Sequence, residues 1–173
     1  MSLSFTGISR ITDFEDFVNE YIENDNNMWF CEMYEHYPEI NKWIRDSKTT
    51  HRCILCRTTE DNAIIAFCIL KIKFDISKHK TVMKLCSVYV IPGWRKHNVC
   101  NLLIKHLIDE CKKIRIDYIY THTYKTLPCF EVLQKVGFVN TYSKRPLTNE
   151  YIFEKEIIDV WAIKRHKENT WKD

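Results

Sequence analysis

The stretch VIPGWRKHNVCNLLI, residues 90–104, most constrains what this chain can fold into. A strand-like run stops at Pro92 and Gly93, passes through Arg95, Lys96 and His97, and becomes an amphipathic helix. Val99, Leu103, His106, Leu107, Glu110, Cys111 and Ile114 recur at helical spacing, which predicts a helix over 98–113. The run before it, TVMKLCSVYV, is almost continuously apolar, the pattern of a strand covered on both faces. A buried strand feeding directly into an amphipathic helix commits the chain to a helix layered on a sheet. The turn between them is a natural anion site. A helix start offers unpaired amides and about half a positive charge, and three basic side chains stand beside it.

The same reading extends along the chain. Thr12 and Glu15 form a capping box ahead of a stripe of Phe14, Phe17, Val18, Tyr21 and Ile22, and a second helix follows with Pro38 in its first turn. The aromatics Trp29, Phe30, Tyr34, Tyr37 and Trp43 are expected mostly to pack a core. HRCILCR and NAIIAFCILKIKF read as strands joined by a TTED turn. IDYIYTHTY is the next strand, and LPCFEVLQKV is a short helix closed by Gly137 in the left-handed conformation. FVNTYS and EYIFEKEI form a hairpin around RPLTN. The predicted order is α-α-β-β-β-α-β-α-β-β, with a short strand near FTGISRI. This is a mixed α/β fold with one sheet, read as a single domain over 1–173. With only three glycines in 173 residues, each is expected to serve the backbone.

The bulk properties narrow the setting. The formal charge of +3 does not mark a dedicated nucleic-acid binder. No apolar run approaches the roughly 20 residues of a membrane span, and the N-terminus is no secretory signal. The expected location is cytoplasmic, without membrane attachment. The eight cysteines then read as thiols, several of them small hydrophobes within apolar stretches. Cys53 and Cys56 form one CxxC, but no second ligand pair accompanies it, so no metal is expected and both are read as facing the core.

Two motifs in sequence carry a resemblance. Val90, Pro92, Arg95, Asn98, Cys100, Leu103 and Ile104 follow a pattern V-x-P-x-x-(R/Q)-x-x-G-x-(G/A) with a Leu pair. Thr126, Cys129, Val132, Leu133, Lys135, Gly137 and Phe138 follow N-x-x-A-x-x-F-Y-x-K-x-G-F. Together, over about 83–138, they resemble the Gcn5-related N-acetyltransferases (GNAT), whose element order is also the one read here. The resemblance implies a GNAT-like fold, acetyl-CoA as cofactor and transfer of an acetyl or other acyl group to an amine. It places the coenzyme's pyrophosphate on the loop Arg95, Lys96, His97, Asn98, Val99, Cys100 and Asn101, its pantetheine arm along the main chain of Val88 and Val90, and Thr126 in the cofactor-binding set. Asn98 stands for the motif's first glycine, since Asn tolerates the left-handed region. Cys100 stands for its last small residue, with a side chain that reaches toward the phosphates.

The family's acid and base are missing. Ser87 stands near its usual glutamate and Leu133 at its usual tyrosine. The substitutes are His122, Tyr124 and Tyr89, all close to strand ends; a histidine there works near neutral pH. Three readings follow: an acyl-CoA-dependent N-acetyltransferase, a non-catalytic binding module for acyl-CoA or a partner on the same fold, and an enzyme of this fold that modifies a nucleobase or aminoacyl-tRNA. The acceptor, whether small molecule, protein or nucleic acid, is not legible, and the chain is expected to be a monomer or homodimer.

Overall fold

The computed structural model describes residues 2–11, 51–77, 79–124, 129–144 and 150–156. The helices read between Thr12 and residue 50, Cys31, Thr126, the RPLTN turn and the tail from Ile157 lie outside them. The described elements are β1 (Leu3–Phe5), β2 (Ser9–Arg10), β3 (His51–Thr58), β4 (Ile64–Asp75), β5 (Lys80–Val90), a 3-10 turn at Pro92–Trp94, α1 (Val99–Lys113), β6 (Tyr118–Tyr124), α2 (Cys129–Lys135), β7 (Val139–Lys144) and β8 (Glu150–Glu156). They form one sheet in the order β1-β3-β4-β5-β6-β8-β7, with β2 also on β3. The short strand expected near FTGISRI is instead two, β1 and β2, on either side of Thr6 and Gly7.

All neighbouring strands are antiparallel except β5 and β6, which α1 connects as a crossover. Val99, Leu103, Ile104, Leu107, Ile108 and Cys111 bury one stripe of α1. That stripe meets Ile54, Cys56, Cys68, Leu70, Met83, Leu85 and Ile119 of the sheet, with Phe130 and Leu133 of α2. Ile114, read as the end of the stripe, is exposed. At the other edge of α1, the His106 Nε2–H donates to the Thr6 carbonyl at 2.7 Å and its ring stacks on Phe5. Those contacts fasten β1 to the helix.

Gly137 is left-handed, φ 95°, and closes α2 as expected. Gly93 has no such duty: its φ is not positive and a β-carbon there would meet nothing within 4 Å.

Cys53 and Cys56 are both buried, but on opposite faces of β3. Cys56 joins Ile54 in the core beneath α1, whereas Cys53 Sγ donates to the Arg10 carbonyl, 3.3 Å, on the other face. A strand alternates with period two, so residues three apart diverge, and the pair cannot close on one ion. Among the described residues no group of three metal-ligating side chains comes together.

The seven described cysteines are thiols. Burial pushes Cys56 and Cys111 up to about 12, and Cys68 well above the ordinary value. A folded-state value above the unfolded one favours folding at lower pH, so stability is expected to fall as pH rises from about 9 toward 12. Thermal melts across that range check this, and thiol-reagent counts in native and denatured protein should show most of these cysteines reacting only after unfolding.

Candidate active site

The site begins with an irregularity in β5. Ile69 pairs with Ser87 and Leu70 with Leu85, which leaves Cys86 as an extra residue. A bulge of this kind bends its strand and increases the local twist. The parallel ladder between β5 and β6 pairs Val82–Leu85 with Tyr118–Thr121 and ends there. At its last rung the Thr121 hydroxyl, buried, donates to the Leu85 carbonyl at 2.8 Å. Beyond that rung β5 stays on β4 while β6 stays on β8, and a wedge opens between them.

The backbone of β5 faces into this wedge at alternate residues. The Ile91 N–H donates to the Ile65 carbonyl at 3.0 Å, a bond that flanks the Val90–Ala66 pair. In an antiparallel ladder the residues of such a pair turn their own N–H and C=O outward. Val90 and, two residues earlier, Val88 therefore present their main chain on the wedge side. Their side chains pack on the core beneath α1.

The loop after β5 builds the other wall. Lys96 and Asn98 are both left-handed, with φ 64° and 63°. Backbone of this type turns successive N–H groups to one side. Asn98 adopts the conformation expected of it at a glycine position; the left-handed Lys96 has no signal in the sequence. Asn98 precedes α1 without capping it, since its side chain accepts from Asn101 Nδ2, 3.0 Å, rather than from a helix amide. No acidic residue occupies the first turn of α1. The helix start is thus uncapped and electropositive, and it fits an anion such as a pyrophosphate.

The basic side chains have distinct positions. Lys96 is exposed. Arg95 folds back: its Nε donates to the Val90 carbonyl at 3.0 Å, and its guanidinium lies 5.4 Å from the Tyr89 ring centroid. His97 Nδ1 contacts the Arg95 carbonyl at 2.8 Å. Because a carbonyl only accepts, this nitrogen carries the proton. Val99 is buried in the core, and Cys100 is half-buried and packed against it. Desolvation pushes the Cys100 thiol up to about 12, with Cys129 adding to the effect. Asn98→Val is expected to destabilise the protein by about 1–2 kcal/mol, because a β-branched residue resists this conformation, while Asn98→Gly should be nearly neutral. Denaturant melts of the two variants check this.

Three of the acid–base candidates share one sheet face, the one turned away from α1. Ser87 is opposite Ile69 and Tyr89 opposite Phe67 in register, alternating with the core residues Val88 and Val90. The Tyr89 ring is buried and stacks on Phe67, 5.7 Å between centroids. His122, half-buried on β6, lies 5.7 Å from the Tyr120 ring. Tyr124 ends β6, opposite Glu150. Ser87 is 3% exposed, and among the described residues its hydroxyl has no hydrogen-bond partner, an arrangement that costs about 1–3 kcal/mol unless another group, a ligand or water satisfies it. Leu133 is 1% exposed and packed in the core, and its side chain carries no proton to give. Two features were missed by sequence reasoning. Nothing local in the sequence marks the bulge at Cys86 or the Thr121 clasp, because both arise from pairing between strands.

Comparison with known proteins places this geometry. The model of the Acetyltransferase (GNAT) family matches residues 14–138. Solved structures share the fold. PaiA N-acetyltransferase from Thermoplasma acidophilum, in complex with coenzyme A, is 18% identical with a TM-score of 0.61, covering 90% of this chain and 99% of its own. Arabidopsis thaliana NAA60, in complex with acetyl-CoA, is 16% identical with a TM-score of 0.58, covering 90% and 99%. A putative GNAT acetyltransferase from Desulfovibrio desulfuricans is 10% identical with a TM-score of 0.66, covering 91% and 100%. No curated protein matches the sequence. With a family match spanning most of its length and a mixed sheet split by a wedge beside an uncapped basic helix start, the chain belongs to the GNAT acetyltransferase family.

Proposed function

We propose that the protein transfers an acetyl group from acetyl-CoA to an amine. The observation that carries the reading is the wedge itself: the outward main chain of Val88 and Val90 leads directly to the uncapped start of α1. The family uses acetyl-CoA, and when bound it supplies a thioester ready for attack. In this reading the main chain of Val88 and the N–H of Val90, the Val90 carbonyl being held by Arg95, line the pantetheine arm as an added strand would. Arg95, Lys96, His97 and the amides of Asn98, Val99, Cys100 and Asn101 hold the pyrophosphate, with Thr126 nearby. Ser87 accepts a hydrogen bond from the acceptor nitrogen or its water. His122 moves the proton, with Tyr124 and Tyr89 as the other groups at hand. Placement of the amine against the thioester supplies much of the rate.

A second reading has its own support. With Leu133 in the core and Ser87 where a carboxylate would act, the fold could hold acyl-CoA without turning it over. A cytoplasmic setting, where acetyl-CoA and thiols coexist, belongs to the proposal as well. Among the described residues no helix is long and apolar enough to cross a membrane. Calorimetry with coenzyme A, followed by mass analysis of amines incubated with acetyl-CoA, separates the readings. Binding with an acetylated product supports transfer, binding alone supports the module, and neither overturns both.

A further inference from the structure

The sheet face that carries Ser87, Tyr89 and His122 also carries three lysines, just below the point where β5 and β6 part. Lys71 and Lys73 flank Ile72, which packs against the core beneath α1, so both point to the other face. Lys84 lies between the core residues Met83 and Leu85 and shares that face. In register Lys71 is directly opposite Lys84, and Lys84 is directly opposite Tyr120. Like charges at one cross-strand position repel. Lys71 and Lys84 are half-buried, and among the described residues neither has an ion-pair partner. Lys73 holds its ammonium 4.9 Å from the Tyr120 ring centroid, a contact that positions a cation without neutralising it. β8 places Glu154 opposite Tyr120, one strand further on. His122 is two residues along from Tyr120, with the rings in contact.

We infer that the acceptor carries an anionic group, a phosphate or a carboxylate, that lies on Lys71, Lys73 and Lys84 while its amine reaches the wedge beside Ser87 and His122. The inference rests on the transfer reading and names the class of its acceptor. Among the described residues nothing offsets the charge of this cross-strand lysine pair, and an anion lying between the two removes the repulsion. Two to three residues of strand separate the lysine row from Ser87 and His122. The acceptor's acid and amine are therefore roughly 7–10 Å apart. A bare hydrophobic amine would gain nothing from this face.

The test is an amide NMR titration with aminohexyl phosphate, aminohexanoate and hexylamine, on protein saturated with coenzyme A so that the loop at Arg95 is filled. The two acids should shift the amides of Lys71, Lys84 and Tyr120, and their relative affinity distinguishes phosphate from carboxylate; hexylamine should not. The double variant Lys71→Gln, Lys84→Gln should bind the acids about tenfold more weakly, yet melt no lower than the parent because the repulsion is gone. Equal binding by the variant, equal shifts with hexylamine, or shifts reproduced by sodium chloride at the same ionic strength would overturn the inference. Coenzyme A binding is measured first and separately. Its failure counts against the transfer reading and leaves the titration of the coenzyme-free protein to judge the lysine site.

Discussion

Arg95→Glu is expected to weaken coenzyme A binding about 100-fold, roughly 2.7 kcal/mol, measured by calorimetry. The substitution replaces a cation with an anion beside the pyrophosphate, at the end of a helix with no acidic residue in its first turn. It also removes the Nε hydrogen bond to the Val90 carbonyl, which holds the end of β5 against its loop. Lys96→Glu separates the two effects, since Lys96 is exposed and its loss disturbs charge alone. A comparable loss in both variants assigns the effect to electrostatics, and raised salt should narrow the gap to the parent. A large loss in Arg95→Glu alone assigns it to the strand end. Unchanged affinity in both removes the loop from the coenzyme site.

The second large effect is expected at His122. If it moves the proton, His122→Ala should lower turnover about 100- to 10,000-fold while leaving the melting temperature close to the parent's, because the side chain is only half-buried. Ser87→Ala should lower turnover less, since it removes a positioning contact, and should leave stability equal or slightly higher, because it deletes a buried hydroxyl that has no partner among the described residues. Tyr89→Phe keeps the ring packed on Phe67 and tests the hydroxyl alone. Restoring the family's tyrosine by Leu133→Tyr is not a clean gain-of-function test. Leu133 is fully packed, so the larger side chain is expected to cost about 1–3 kcal/mol of stability. Turnover that survives His122→Ala would assign the proton to solvent or to Tyr124.

Much of the fold was legible because it rests on local patterns. The stripe from Val99 to Cys111, the apolar run of β5 and the hairpin between β3 and β4 each declare themselves within a short window, and the structure places them within a residue or two. Asn98 was legible for the same reason: few residues take its backbone conformation, and it stands where a glycine is wanted. The burial of Leu133 could be reached from the short helix pattern, but its removal from the chemistry required α2 to be seen against the sheet. The wedge was not legible. It depends on an unpaired Cys86 and on a threonine clasping a carbonyl from the neighbouring strand, and register between strands leaves no trace in either strand alone. Cys53 and Cys56 were legible as buried strand residues, and the strand's alternation puts them on opposite faces.

The brevity of the β5–β6 ladder bears on motion as well as on shape. Among the described residues, the strand ladder joins the antiparallel meander of β1, β3, β4 and β5 to the trio of β6, β8 and β7 through the rungs from Val82–Tyr118 to Leu85–Thr121 alone. That seam is shorter than the ladders on either side of it, β4–β5 and β6–β8, and the two halves are expected to breathe about it, opening and closing the wedge as a hinge would. A molecule lying along Val88 and Val90 with its far end against β6 would then act as a staple across the seam. Its grip would be felt as slowed amide exchange in β6, well away from the atoms it touches.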